Sequence, residues 1–227
     1  MNQTFMTRFI WYAVRLLAAL LVAGMAFGLA FTIVSLPPAS PELALAVADN
    51  MAKSGVSHPV TAVLLNFRGY DTLLEMAVLL LALIGTWSLA PIQEMPPVAP
   101  AAVLDSLTRL LTPLIILTVG YLLWAGAHAP GGAFQAGALL AALGVLLNLT
   151  GWHLPVDPMR YYLRGIMAAG LIAFLLAAAN GWIHGMHFFS YPHGQAHMLI
   201  LFIETFATLS IGITLVTLFL LGRTAPR

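Results

Sequence analysis

The chain contains no cysteine, which excludes disulfides, iron–sulfur clusters and thiolate metal sites. Charge is nearly as scarce. Only 7% of the 227 residues are charged and 61% are hydrophobic, whereas a globular chain carries about 25% charged residues. So few charges cannot cover a water-exposed surface. Lysine occurs once, at Lys53, so no spanning segment holds a buried lysine. There is no Rossmann fingerprint, no nucleophile motif and no histidine pair placed for haem on facing helices. No cofactor and no nucleic-acid partner are expected.

What is present is length in apolar runs. A spanning helix needs about 20 apolar residues, and six runs qualify: Ile10–Leu36, Thr72–Leu89, Leu107–Ala127, Gly131–Thr150, Tyr161–Trp182 and Ala196–Leu221. The expected fold is an all-α, polytopic membrane protein of about six transmembrane helices. The first run is too long for a signal peptide and lacks a convincing cleavage site, so it reads as a retained helix. Glu42–Ser54 suits a short amphipathic helix ending at Gly55. Pro59–Phe67 reads as a short helix laid against the membrane or folded into it.

The proline-bearing stretch Gln93–Ser106 divides the chain. The expected units are an N-terminal one over 1–95, a linker over 96–106 and a four-helix unit over 107–227. Six crossings with a cytoplasmic N-terminus place Arg8, Arg15, Arg109, Arg160, Arg164, Arg223 and Arg227 on the inner side, against Lys53 and Arg68 outside. That asymmetry satisfies the positive-inside rule and predicts both termini in the cytoplasm.

Two of the eight acids lie in or at the edge of spanning runs. An acid at bilayer depth costs about 2–3 kcal/mol or more unless it is protonated, paired or facing water. Glu75 has two readings. Thr72-x-x-Glu75 forms a capping box, with Arg68 pairing Asp71; or Glu75 passes protons, with Arg68 and Asp71 tuning its charge. Glu204 lies about 12 Å into the last run at 1.5 Å per residue. It is either part of an ion path or a neutral acid hydrogen-bonded within the bundle.

Pro130 suits a helix start, and the residues after it form small-xxx-small pairs (Gly132/Ala136, Ala133/Gly137, Gly137/Ala141) that let helices approach closely. Gly131, Gly132 and Gly137 therefore read as packing residues. His184, His187, His193 and His197 crowd one outer loop. The i, i+4 pair His193 and His197 is a weak metal candidate, and no metal is expected.

Two stretches carry a resemblance. Asn66-Phe67-Arg68-Gly69-Tyr70-Asp71-Thr72-Leu73-Leu74-Glu75 resembles the "DFRGFDTLGE" segment at the C-terminal end of the large subunit of Mrp-type (Mnh) cation/proton antiporters, which is a separate small subunit in membrane-bound hydrogenases. Asn66 replaces the first Asp, and Leu74 the Gly before Glu75. Leu107–Leu139 is similar to the MrpB (MnhB) domain, with Arg109 and Pro113 near its start, then His128, then Pro130-Gly131-Gly132-Ala133-Phe134-Gln135-Ala136-Gly137 against "PGGGFxGG". Ala133 and Ala136 replace two family glycines. Ile203-Glu204 and Ile211-Gly212-Ile213-Thr214 resemble the family's last helix.

The resemblance implies an accessory subunit of a multisubunit antiporter, and not an enzyme. It would sit in a bacterial or archaeal cytoplasmic membrane among other Mrp-type subunits and lipid, in a complex exchanging H+ for Na+ or another monovalent cation. Carried over by motif, Glu75 is the acid of the ion-transfer segment with Arg68 and Asp71 beside it, and Glu204 and His128 are the second unit's polar candidates. The main pumping subunits of such complexes usually carry buried lysines, which this chain lacks. The alternatives are an ion-translocating module of a membrane-bound hydrogenase or related redox complex, and a structural membrane scaffold.

Overall fold

The structure is a computed structural model describing residues 3–36, 41–89, 102–151, 161–192 and 194–222, with side chains from Trp11 onward. Among the described residues every regular element is helical, in the order α1 (Gln3–Ser35), α2 (Glu42–Ser54), α3 (Pro59–Ala62), a π-helical turn (Val63–Phe67), α4 (Gly69–Leu89), α5 (Ala102–Ala125), α6 (Ala133–Leu149), α7 (Tyr161–Ile183) and α8 (Ala196–Gly222). The protein is an all-α polytopic membrane protein. Among the described residues, five helices are long and apolar enough to cross a membrane: α1 from Trp11, α4, α5, α7 and α8. The sixth run is shorter than its apolar residues suggest. Gly132 caps α6 at φ +104°, outside the helical region, leaving 17 helical residues, about 26 Å of helix. Pro130 consequently lies in the connection before α6 and not in its first turn.

Residues 1–45 and 46–227 form two units. The first contains α1, whose described side chains are all exposed. In the second, α8 is the central element, packed against α6, α7, α4 and α5. The contacts are made by small residues, as expected where lipid removes the hydrophobic drive between helices. A Cβ on Gly137 would stand 2.8 Å from the Cβ of Ile211, and one on Gly212 would stand 2.9 Å from Leu140. Gly170 of α7 likewise receives Ala207 and Ser210, and the Ser210 hydroxyl donates to the Met167 carbonyl.

The proline-rich stretch falls largely within 90–101, outside the described residues, and α5 already begins at Ala102. Upstream, α2 ends at Ser54 before Gly55 at φ +78°. The chain then turns through α3 into the π-turn, where the Arg68 amide reaches the Val63 carbonyl at 2.7 Å, an i→i+5 bond. The carbonyls freed by this geometry are met by side chains. Thr72 donates to Leu64 O at 2.7 Å and Tyr191 to Leu65 O at 2.7 Å. The Thr72–Glu75 capping box is therefore not formed. The helix starts at Gly69, ahead of Thr72, and the threonine hydroxyl is committed to Leu64.

Candidate functional site

Glu204 lies in the N-terminal third of α8. Its residue is 3% exposed. The helix that faces it is α6, and the contact is made at the α6 N-terminus: the carboxylate accepts a hydrogen bond from the Ala133 backbone N–H. Helix N-termini carry unpaired amides and partial positive charge, so this is a natural seat for a carboxylate. Ala133 opens α6 because Gly132 turns the chain at positive φ just before it.

The seat is shaped by missing side chains. A Cβ on Gly132 would lie 2.9 Å from Glu204 Oε1, and one on Gly126 would lie 3.0 Å from the same oxygen and 2.8 Å from the Gly132 Cα. Gly126 and Gly132 thus wall the carboxylate on two sides with bare backbone. The point occupied by a Gly132 Cβ is also 3.8 Å from Gln135 Oε1, so the exposed Gln135 side chain borders the same space. Glu204 Oε2 is buried without a hydrogen-bond partner among the described residues.

The connection that carries Gly126 is tied to the α2–α3 segment. Ala127 O accepts from the amides of Ser57 and His58, both at 3.1 Å, and Gly126 O accepts from the Thr61 hydroxyl. His128, next in the chain, is exposed, and its ring lies 5.9 Å from that of His197 at the start of α8. Sequence spacing separates these two histidines by 69 positions; the fold sets them together at one end of the bundle. Among the described residues no three His, Asp or Glu side chains converge as a metal site. His193 lies outside the described residues.

Glu75 is arranged differently. Met76 is buried against Ala207 and Ile211, which turns its neighbour Glu75 to the exposed face of α4. Around it are the exposed apolar residues Leu74 and Val78. Arg68 and Asp71 form an ion pair three residues apart, with side chains 65% and 47% exposed. The structure therefore does not bring Glu75 and Glu204 into one cavity: one faces outward from α4, the other inward from α8. Gly131 packs against the Leu122 carbonyl. Sequence reasoning missed the role of Gly126, whose only signal was a small residue two positions before His128.

The domain described as related to the MnhB subunit of Na+/H+ antiporter matches residues 103–222, more than half of the chain. Two solved structures share the fold. A chain of the membrane-bound sulfane sulfur reductase, an archaeal respiratory membrane complex, aligns with a TM-score of 0.68 at 23% identity, covering 91% of this chain and 97% of that one. A chain of the Mrp complex from Dietzia sp. DQ12-45-1b aligns with a TM-score of 0.65 at 22% identity, covering 95% of this chain and 27% of that one. At such identities the likeness establishes the fold alone. No curated protein matches the chain.

Proposed function

The chain belongs to the family of domains related to the MnhB subunit of the Na+/H+ antiporter, and from that premise we propose that it is an accessory membrane subunit of a multisubunit cation/proton antiporter, contributing acids to an ion or proton path. The observation that carries the reading is Glu75, an acid on the exposed apolar face of a spanning helix. A carboxyl facing hydrocarbon is costly. A neighbouring subunit that supplies water or a counter-charge at that face removes the cost and makes Glu75 part of a path between subunits. Asp71, paired with Arg68, stands one turn away on the same helix. Glu204, with His128 near the surface, is the internal acid. The N-terminal unit and the MnhB-like unit work in this reading as two modules of one subunit, in the cytoplasmic membrane of a bacterium or archaeon with both termini inside, a topology checked by terminal reporter fusions.

Glu75→Gln tests the reading, because it keeps size and removes charge. In membrane vesicles carrying the assembled complex, this variant is expected to retain all subunits and lose most cation/proton exchange, or to shift its pH profile. Glu75→Asp is expected to retain part of the activity. Wild-type rate with an unshifted pH profile in Glu75→Gln would refute the path.

One observation favours a second reading. The alignment covers 97% of the sulfane sulfur reductase chain but 27% of the Mrp chain, so the chain matches in size a subunit of a respiratory complex. There the same module would move cations while other subunits transfer electrons. Iron–sulfur subunits in the purified complex would favour this reading over the antiporter.

A further inference from the structure

We propose that Glu204 is a proton-exchanging carboxyl served from the end of the bundle that carries the α5–α6 and α7–α8 connections, with His128 and His197 as the surface groups that deliver and accept the proton. This deepens the proposed function and rests on it only for the membrane setting.

The donor set around the carboxyl selects the ligand. Small hard cations are held by several oxygens. Glu204 accepts from the Ala133 amide, and a Cβ on Gly126 or Gly132 would come within 3.0 Å of its Oε1, while the α6 N-terminus adds partial positive charge. That lining suits a carboxylate and disfavours a metal cation beside it. Burial acts in the opposite sense, because a charge removed from water is costly. The second oxygen, Oε2, is buried and unpartnered, and is the atom free to take the proton.

The route follows from the helix repeat. His197 precedes Glu204 by seven residues, two turns on one face of α8 and about 10 Å along its axis. His128 lies against His197 with ring centroids 5.9 Å apart, and both are exposed. Gly126 and Gly132 flank His128 in the chain and present bare backbone to Glu204 Oε1, and the exposed amide side chain of Gln135 borders the same space. A span of about 10 Å is bridged by a few hydrogen-bonded waters. Of the other titratable groups, His58 is bonded through its amide to Ala127 O, with its ring nitrogen 3.4 Å from the Thr61 hydroxyl, and His184 Nδ1 lies 2.9 Å from Asn180 O; the rest are held or placed elsewhere. Asp71 is paired with Arg68 and Glu75 is turned outward on α4; Tyr121 of α5 is exposed beside Trp124; α6 has none; Tyr162 and Arg164 lie at the opposite end of α7; and the Tyr191 hydroxyl is bonded to Leu65 O.

The test is infrared difference spectroscopy on the purified complex across a pH titration, reading the carbonyl stretch of a protonated carboxyl. That signal does not depend on which complex hosts the chain or on transport, so its failure leaves the proposed function standing, and a transport failure at Glu75 leaves it intact. The expected result is a titrating band that Glu204→Gln removes and Glu204→Asp shifts. His128→Gln with His197→Gln is expected to keep the band but slow its response to a pH jump by about a hundredfold, the lower end of what a positioned proton-transfer group contributes. A band unaffected by both Glu204 substitutions, or an unchanged response rate in the double histidine variant, overturns the proposal.

Discussion

The hydroxyl of Thr61 donates to the carbonyl oxygen of Gly126, 65 residues further along the chain. Gly126 is also the residue whose bare backbone borders Glu204 Oε1, so α3 is linked to the acid's surroundings through one peptide. Thr61→Val keeps the shape and removes the donor, leaving a buried carbonyl unsatisfied. We expect it to cost about 1 kcal/mol, with Thr61→Ser near wild type. Thermal denaturation of the purified complex measures both, and equal stability of the Val and Ser variants would show that the bond contributes nothing.

Small residues in α6 and α5 make a paired comparison. Gly137→Ala places a Cβ 2.8 Å from the Cβ of Ile211, whereas Gly120 has nothing within 4 Å of the same position. Overpacking at Gly137 is expected to destabilise by about 1–3 kcal/mol, while Gly120→Ala is neutral or stabilising by about 0.5–1 kcal/mol, as usual for a helix interior. Detergent-resistance or melting measurements on both variants decide it; the reverse order would mean that α6 and α8 are not in close contact.

The Tyr191 hydroxyl lies on the connection between α7 and α8, and burial pushes its pKa well above the ordinary tyrosine value. Tyr191→Phe removes the donor to Leu65 O, at an expected cost of about 1–2 kcal/mol. The raised folded-state value fixes the sign of the pH dependence. The wild-type advantage over Tyr191→Phe is fully present below the unfolded tyrosine value of about 10 and is lost as pH rises through the higher folded value. Melting the two proteins side by side from neutral to alkaline pH checks this. A difference that grows with alkalinity would contradict it.

The residues explain how far the sequence could be read. Apolar length located the spanning helices, because a membrane imposes it. Gly55 marked the end of α2, and the i, i+3 spacing of Arg68 and Asp71 anticipated their ion pair. The capping box failed for a nonlocal reason. Its rule assumes that Thr72 opens the helix, while the π-turn upstream frees the Leu64 carbonyl and draws the hydroxyl there. Glu204 stood out in the sequence as an acid among apolar residues. Its seat did not, because Gly126, Gly132 and Ala133 lie more than 70 positions away; Gly132 and Ala133 read locally as packing residues and Gly126 carried no signal of its own. The outward turn of Glu75 is set by which α4 neighbour, Met76, fits against Ala207 and Ile211, a choice that periodicity leaves open in a helix apolar on every side.

The π-turn at Val63–Phe67 has a consequence for the phase of the chain. Such a turn holds one residue more than an α-helical turn. Deleting one residue within it would rotate the segment upstream by about 100° relative to the segment downstream, and would disturb the carbonyls that accept from Thr72 and Tyr191. Thr61 would then point away from Gly126. The extra residue acts as an angular offset between α3 and α4, so a change in chain length there would misalign α3 against Gly126 while leaving α4 packed on α8.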